Sequence, residues 1–169
     1  MGVIGSLGGT VVGLCGGLVA QRISYHREAL ERLSVARRDS YLRWLTAVHG
    51  VFEVIASAHR ALRRDELAEG DARREISGMT VADAQIRLEE LRLVAGDEVA
   101  SAAARIWRHM RRDRVALGHD LSAEAWRAWR DSYWNLRRAF LDAARVETGL
   151  GPLDWSASAV VEAQGKNRF

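Results

Sequence analysis

Residues 41–62 read YLRWLTAVHGVFEVIASAHRAL, and their spacing decides the fold. Apolar positions recur at Tyr41, Leu45, Val48, Phe52 and Ile55, and the series continues through His59 and Leu62. The steps alternate four and three, which puts every one of these side chains along a single helical seam. Gly50 falls within the stretch at a cost of about 1 kcal/mol relative to Ala. No proline breaks it, since the only proline in 169 residues is Pro152. The chain is therefore expected to be all-α, with this helix in a bundle or a coiled-coil oligomer.

Downstream of the seam, Glu69-Gly70-Asp71 reads as the helix end and the polar stretch to Gly78 as a loop. A second helix is expected near Thr80, with Thr80 and Asp83 as a variant capping box. Its apolar face is Val81, Ala84, Leu88, Leu91 and Ala95. Gly96-Asp97 offers a stop and a new N-cap. A third helix then runs to about Leu117 through Val99, Ala102 or Ala103, and Ile106. After a turn at Gly118-His119-Asp120, Ser122 caps a fourth helix with the seam Trp126, Trp129, Tyr133, Leu136, Phe140 and Ala143. Gly149 and Pro152 end it. Amphipathic segments with short connections favour an antiparallel bundle or long hairpin.

Upstream, the stretch from Val3 to Ala20 carries no charge. Glycines recur there at Gly5, Gly9, Gly13 and Gly17, four residues apart, so a helix would gather them into a smooth packing groove, a glycine zipper. Eighteen residues span about 27 Å, close to the thickness of the bilayer hydrocarbon. A transmembrane anchor over 1–22 is expected, continuing into the long helix. No basic leader precedes the apolar run, which argues against a cleaved signal peptide. Arg22, Arg27, Arg32, Arg37 and Arg38 follow it closely. The positive-inside rule then sets the N-terminus outside and the C-terminus in the cytoplasm, at a cell inner membrane. The expected organisation is an anchor at 1–22, a cytosolic helical bundle at 23–150 and a flexible tail at 151–169, onto which Trp155 can dock.

The net charge is +3, and Lys166 is the only lysine among 25 basic residues. Cys15 is the only cysteine, which excludes a disulfide framework within one chain. Of the five histidines (His26, His49, His59, His109 and His119) none forms an HExxH motif or an i, i+4 pair. His59 on the seam reads as a hydrogen-bonded core side chain. There is no phosphate loop followed by a lysine, and the acidic pairs stand beside arginines. No enzyme activity, cofactor or metal site is expected.

The remaining chemical signal is arginine interleaved with aromatic residues. Residues 105–114 carry five arginines and one aspartate, and Trp126 to Arg138 repeat the theme one helix later. Such patches hold phosphate backbones, stack on bases or bind anionic lipid head groups. The plainer reading makes Trp126, Trp129 and Tyr133 core, with arginine stems packed beside them. Arg22, Arg27, Arg108, Arg111 and Arg112 are the candidate anion contacts, and the arginines nearest the span suit lipid best.

This layout resembles a group of small actinobacterial membrane-anchored helical proteins, some labelled KilB-like. The residues carrying the resemblance are the glycine-rich stretch from Gly5 to Ala20, Gln21-Arg22, Arg37-Arg38-Asp39-Ser40-Tyr41-Leu42, and the Leu93 to Val99 junction. The resemblance implies a part in conjugative plasmid transfer or spread and supplies no catalytic residue. The leading expectation is a single-pass membrane protein acting by oligomerisation and partner contact. Its partners would be membrane lipid and either a second copy or another membrane protein. The alternatives are a membrane-associated nucleic-acid-binding module that uses the arginine-rich helices, and a toxin-like membrane-active protein.

Overall fold

A computed structural model describes residues 6–151 and 153–155, with side chains described for residue 25 and from residue 27 onward. All regular structure among them is helical. The helices are α1 (Ser6–Arg63), α2 (Glu69–Gly78), α3 (Ala82–Arg92), α4 (Asp97–Arg108), α5 (Arg114–His119) and α6 (Ala123–Glu147), with a π-helical turn at His109–Asp113 between α4 and α5. Among the described residues no helix is long and apolar enough to cross a membrane. The anchor expected over 1–22 falls outside the described side chains.

Helix α1 is 58 residues long, about 87 Å at 1.5 Å per residue. Its seam is buried within the chain: Tyr41, Val48, Phe52, Ile55 and His59 are covered, and Leu45 and Leu62 are partly so. Trp44, Val51, Ala56 and Ala58 are buried beside them, so the apolar face is wider than a two-position heptad seam. That width lets α1 serve several neighbours at once. α3 and α2 pack on it, α4 pairs with α6, and α2 meets α5.

Helix α1 ends earlier than the sequence suggests. The Glu66 N–H donates to the Ala61 carbonyl at 2.9 Å and the Asp65 N–H to the Leu62 carbonyl at 3.2 Å, while Asp65 has φ 59°. This is a Schellman turn, with an aspartate where glycine is commoner. The expected loop from 69 to 78 is then corrected to a helix. Its sequence is polar, but Ala72 and Ile76, four apart, are fully buried against α1 and α5. Two apolar residues on one face suffice when the core supplies the contact.

The expected face of α3 is present, with Ala84, Leu88 and Leu91 buried and Val81 and Ala95 packed beside them. The capping box does not form. Val81 is the N-cap, and the Thr80 hydroxyl takes only a long 3.4 Å bond from the Ala82 N–H. Ser122 does cap α6, accepting from the Ala125 N–H at 3.2 Å. Along α6, Trp129, Tyr133, Phe140 and Ala144 are buried. Ala144 thus replaces Ala143 as the last fully covered position. α6 ends in a second Schellman turn, with Gly149 at φ 77° and the Leu150 N–H on the Arg145 carbonyl at 2.7 Å.

The path is up along α1, down α3, up α4 and α5, and down α6. Both ends of the bundle are fastened, by different means. At one end, the Glu147 carboxylate accepts from the Gly96 N–H at 2.9 Å and the Tyr41 hydroxyl at 2.9 Å, and Arg37 Nε lies 3.1 Å away. Arg37 Nε also donates to the Val94 carbonyl at 2.7 Å. At the other end, rings stack in series. His59 lies 4.7 Å from Trp126, Trp126 5.6 Å from Trp129, and Trp129 4.9 Å from His109. Phe52 stacks on Tyr133 at 4.5 Å and on Trp129 at 5.8 Å.

Candidate functional site

The candidate anion contacts fall into two groups. Arg27 is exposed on the free part of α1, where residues 27–36 are exposed on every side. Arg22 lies outside the described side chains. The second group stands on the bundle, where Arg108 closes α4 and Arg111 and Arg112 occupy the π turn, all exposed. Arg105 is exposed one turn earlier and reaches Ser101 Oγ at 3.2 Å. The expected helix-packing glycines Gly9, Gly13 and Gly17 lie in α1 with their surroundings undescribed, and Gly5 falls outside the described residues.

The π turn explains how the bundle group is left uncovered. His109 is buried. Its Nε2–H donates to the Trp129 carbonyl at 3.0 Å, and its Nδ1 faces Oδ2 of Asp113 at 2.8 Å. The ring therefore pins the turn to α6 and sets its other nitrogen beside Asp113. Asp113 is the only acid between Val99 and His119. Arg108, Arg111 and Arg112 make no ion pair among the described residues. π turns recur at functional sites in proteins generally, because the extra residue re-aims the side chains around it.

Most other exposed arginines of the bundle differ in this respect, Arg38, Arg63 and Arg127 excepted. Arg43 lies near Glu90, Arg60 pairs with Glu53, Arg73 with Glu69, Arg74 with Asp71 and Arg92 with Glu89. Arg137 lies over the Trp134 ring at 5.4 Å and Arg138 over Trp155 at 5.6 Å. On α6, then, the interleaved aromatic and basic residues are core and rim, with arginine planes packed on indoles. Trp155 donates to the Asp142 carboxylate at 3.1 Å, which docks the start of the last segment onto α6.

Arg114 follows the π turn but is buried, with Nη1 donating to the Met79 carbonyl at 3.1 Å. Burial alone pulls its affinity for a proton below the ordinary arginine value. It is a strut between α5 and α2 and offers nothing to a ligand. His59 behaves as a core side chain. Burial first, and then the Arg63 charge, pull its pKa below the usual histidine value, against an opposing hydrogen bond with Leu121. Burial pushes the Tyr133 phenol up to about 12. The same cause, reinforced by its bond to Glu147, raises Tyr41 well above the ordinary tyrosine range.

A cavity of about 470 Å³ opens beside the π turn, lined by His109, Asp113, Leu117, Asp120, Trp129 and Ser132. Among the described residues no group of His, Cys, Asp or Glu is arranged to hold a metal ion. The Glu147 cluster was not visible in the sequence. Gly96 reads as a stop and Tyr41 as a seam residue, but Glu147 lies 51 and 106 residues from them. No local pattern joins the three. No family model matches the chain, and no curated protein or solved structure matches it either.

Proposed function

We propose that the chain is a membrane-tethered helical scaffold that works by assembly and partner contact. Its apolar N-terminal segment, residues 1–22, would be the span, and the bundle would stand in the cytoplasm. The observation that carries this reading is the continuity of α1. A single helix from Ser6 to Arg63 joins the glycine-rich segment to the buried seam. Residues 27–36 are exposed, and cover by the rest of the chain is present from Arg37 and Ser40 onward. An exposed helical stretch between an apolar segment and a folded body is the form of a stalk.

Charge supports the same reading. The uncharged stretch from Val3 to Ala20 is followed by a cluster of arginines, as the positive-inside rule requires of a segment with its C-terminal side in the cytoplasm. Gly5, Gly9, Gly13 and Gly17 are the surface we propose for packing against a second copy or a partner span. The Tyr41–Leu62 seam is occupied within the chain, so association falls to the segment before it. On the resemblance described above, the setting we propose is a membrane complex for conjugative plasmid transfer or spread.

The test is alkaline carbonate extraction of membranes from cells expressing the full chain or a copy lacking residues 1–20. The full chain should stay with the pellet and the shortened one should be released. Release of both would overturn the tether. Replacing Gly9 and Gly13 with Leu should keep the chain in the pellet while weakening crosslinking between spans, and unchanged crosslinking would remove the glycine surface from the proposal.

A further inference from the structure

We propose that the arginine face formed by α4 and the π turn binds the phosphate backbone of a nucleic acid. Three observations carry this. The face holds four exposed arginines, Arg105, Arg108, Arg111 and Arg112. The one acid in that stretch, Asp113, lies beside buried His109 and pairs with none of these arginines. Most other exposed arginines on the bundle, such as Arg73 and Arg92, have carboxylate partners, whereas Arg38, Arg63 and Arg127 stand without one among the described residues and form no such run. Charge left unpaired along one helix edge is the feature that a polyanion neutralises, releasing its counterions.

The spacing fits. Arg105 to Arg112 covers about 10 Å of helix axis, comparable to about three phosphate intervals, or four phosphates, on one strand at about 3.4 Å of duplex axis each. Guanidinium groups bind phosphate oxygens in pairs and keep their charge at any pH the protein tolerates. Water surrounds the face, so the contacts would be exposed and strongly salt-dependent.

The choice of nucleic acid over lipid rests on the tethered reading. Gly96, at the start of α4, is held level with Arg37 through Glu147. From residue 22 to Arg37 and then up α4 to Arg108, the helices carry the face about 40 Å from the expected span. The potential of an anionic membrane surface decays over about 8 Å at physiological ionic strength. Arg27 is within reach of that surface, whereas Arg108, Arg111 and Arg112 stand several decay lengths beyond it.

The experiment uses the full chain in neutral detergent with a fluorescently labelled DNA duplex, titrated between 50 and 200 mM salt. Beside it runs the triple variant Arg108→Gln/Arg111→Gln/Arg112→Gln. Four contacts predict that affinity falls about 150-fold across that salt range, from a slope of about −0.9 per phosphate. In the triple variant the fall should shrink to about threefold or fourfold, with weaker binding at 50 mM. A control, Arg73→Gln/Arg74→Gln, removes two exposed but paired arginines and should bind like the parent. Thermal unfolding of each variant verifies that the bundle remains folded.

An unchanged affinity and salt slope in the folded triple variant would overturn the proposal. So would tight binding to phosphatidylglycerol vesicles that depends on these three arginines while the duplex is ignored. The assay needs no bilayer, so a chain that washes off in carbonate yet binds DNA through this face would sink the tether and leave the nucleic-acid contact standing.

Discussion

The two ends of the bundle are closed by opposite physics. At the end nearest Arg37, one carboxylate, Glu147, gathers a phenol and a guanidinium from α1 and a backbone N–H from the start of α4. At the far end, His59, Trp126, Trp129 and His109 stack ring on ring around Phe52. The first closure is directional and depends on every partner being present. The second spreads its energy over a large apolar area and tolerates small shifts. The polar closure therefore sets the register of α4 and α6 against α1, while the ring closure contributes buried apolar contact.

The comparison breaks most visibly at Phe52. Phe52→Ala removes a buried ring that touches five others, and about 3–5 kcal/mol of stability should go with it. Denaturant unfolding checks this, and a loss under 1 kcal/mol would mean that the ring end is not the main fastening. At the polar end, Glu147→Ala strands the Gly96 N–H and Tyr41 hydroxyl and frees Arg37, with an expected loss of about 2 kcal/mol. Glu147→Gln keeps an acceptor and should lose less. Equal losses for the two variants would show that the carboxylate charge, and not its geometry, holds the end.

Acid should separate the ends further. The pKa of His59 is lowered in the fold, so its contribution to stability is complete above the unfolded value of about 6.5. That contribution is lost as pH falls below 6.5 through the folded value. Unfolding midpoints between pH 7 and 5 should decline, and His59→Phe, which keeps a ring on Trp126, should flatten the decline. An identical slope in the variant would assign the acid sensitivity elsewhere. The smallest expected effect lies between the two ends. Gly50 is exposed and a methyl group there meets nothing within 4 Å, so Gly50→Ala should raise stability by about 1 kcal/mol.

The same contrast explains what could be read from the chain. The ring end was legible because Phe52 and His59 on α1 and Trp126, Trp129 and Tyr133 on α6 fall at helical spacing, and periodicity reports burial. The all-helical class and the caps at Gly96 and Ser122 followed from equally local signals. Helix α2 was hidden because its polar composition resembles a loop, and only the pocket for Ile76 makes it a helix. The π turn was hidden for a related reason, as His109 and Asp113 stand four apart like any helical pair. The contact that holds His109 in the turn is with the Trp129 carbonyl, 20 residues away. The arginines at 108, 111 and 112 were visible as charges, but their lack of carboxylate partners was a fact of three dimensions.

Helix α1 has a mechanical corollary. It runs from Ser6 to Arg63 with no proline, so torque applied at its outer end meets no joint before Trp44 and Phe52. The azimuth of the whole bundle is thereby written in a residue count. One residue added within 27–36 would turn the bundle by about 100°, and seven would bring it back to within about 20° of its original bearing. A chain of this design points its arginine edge by phase, as a camshaft points its lobes.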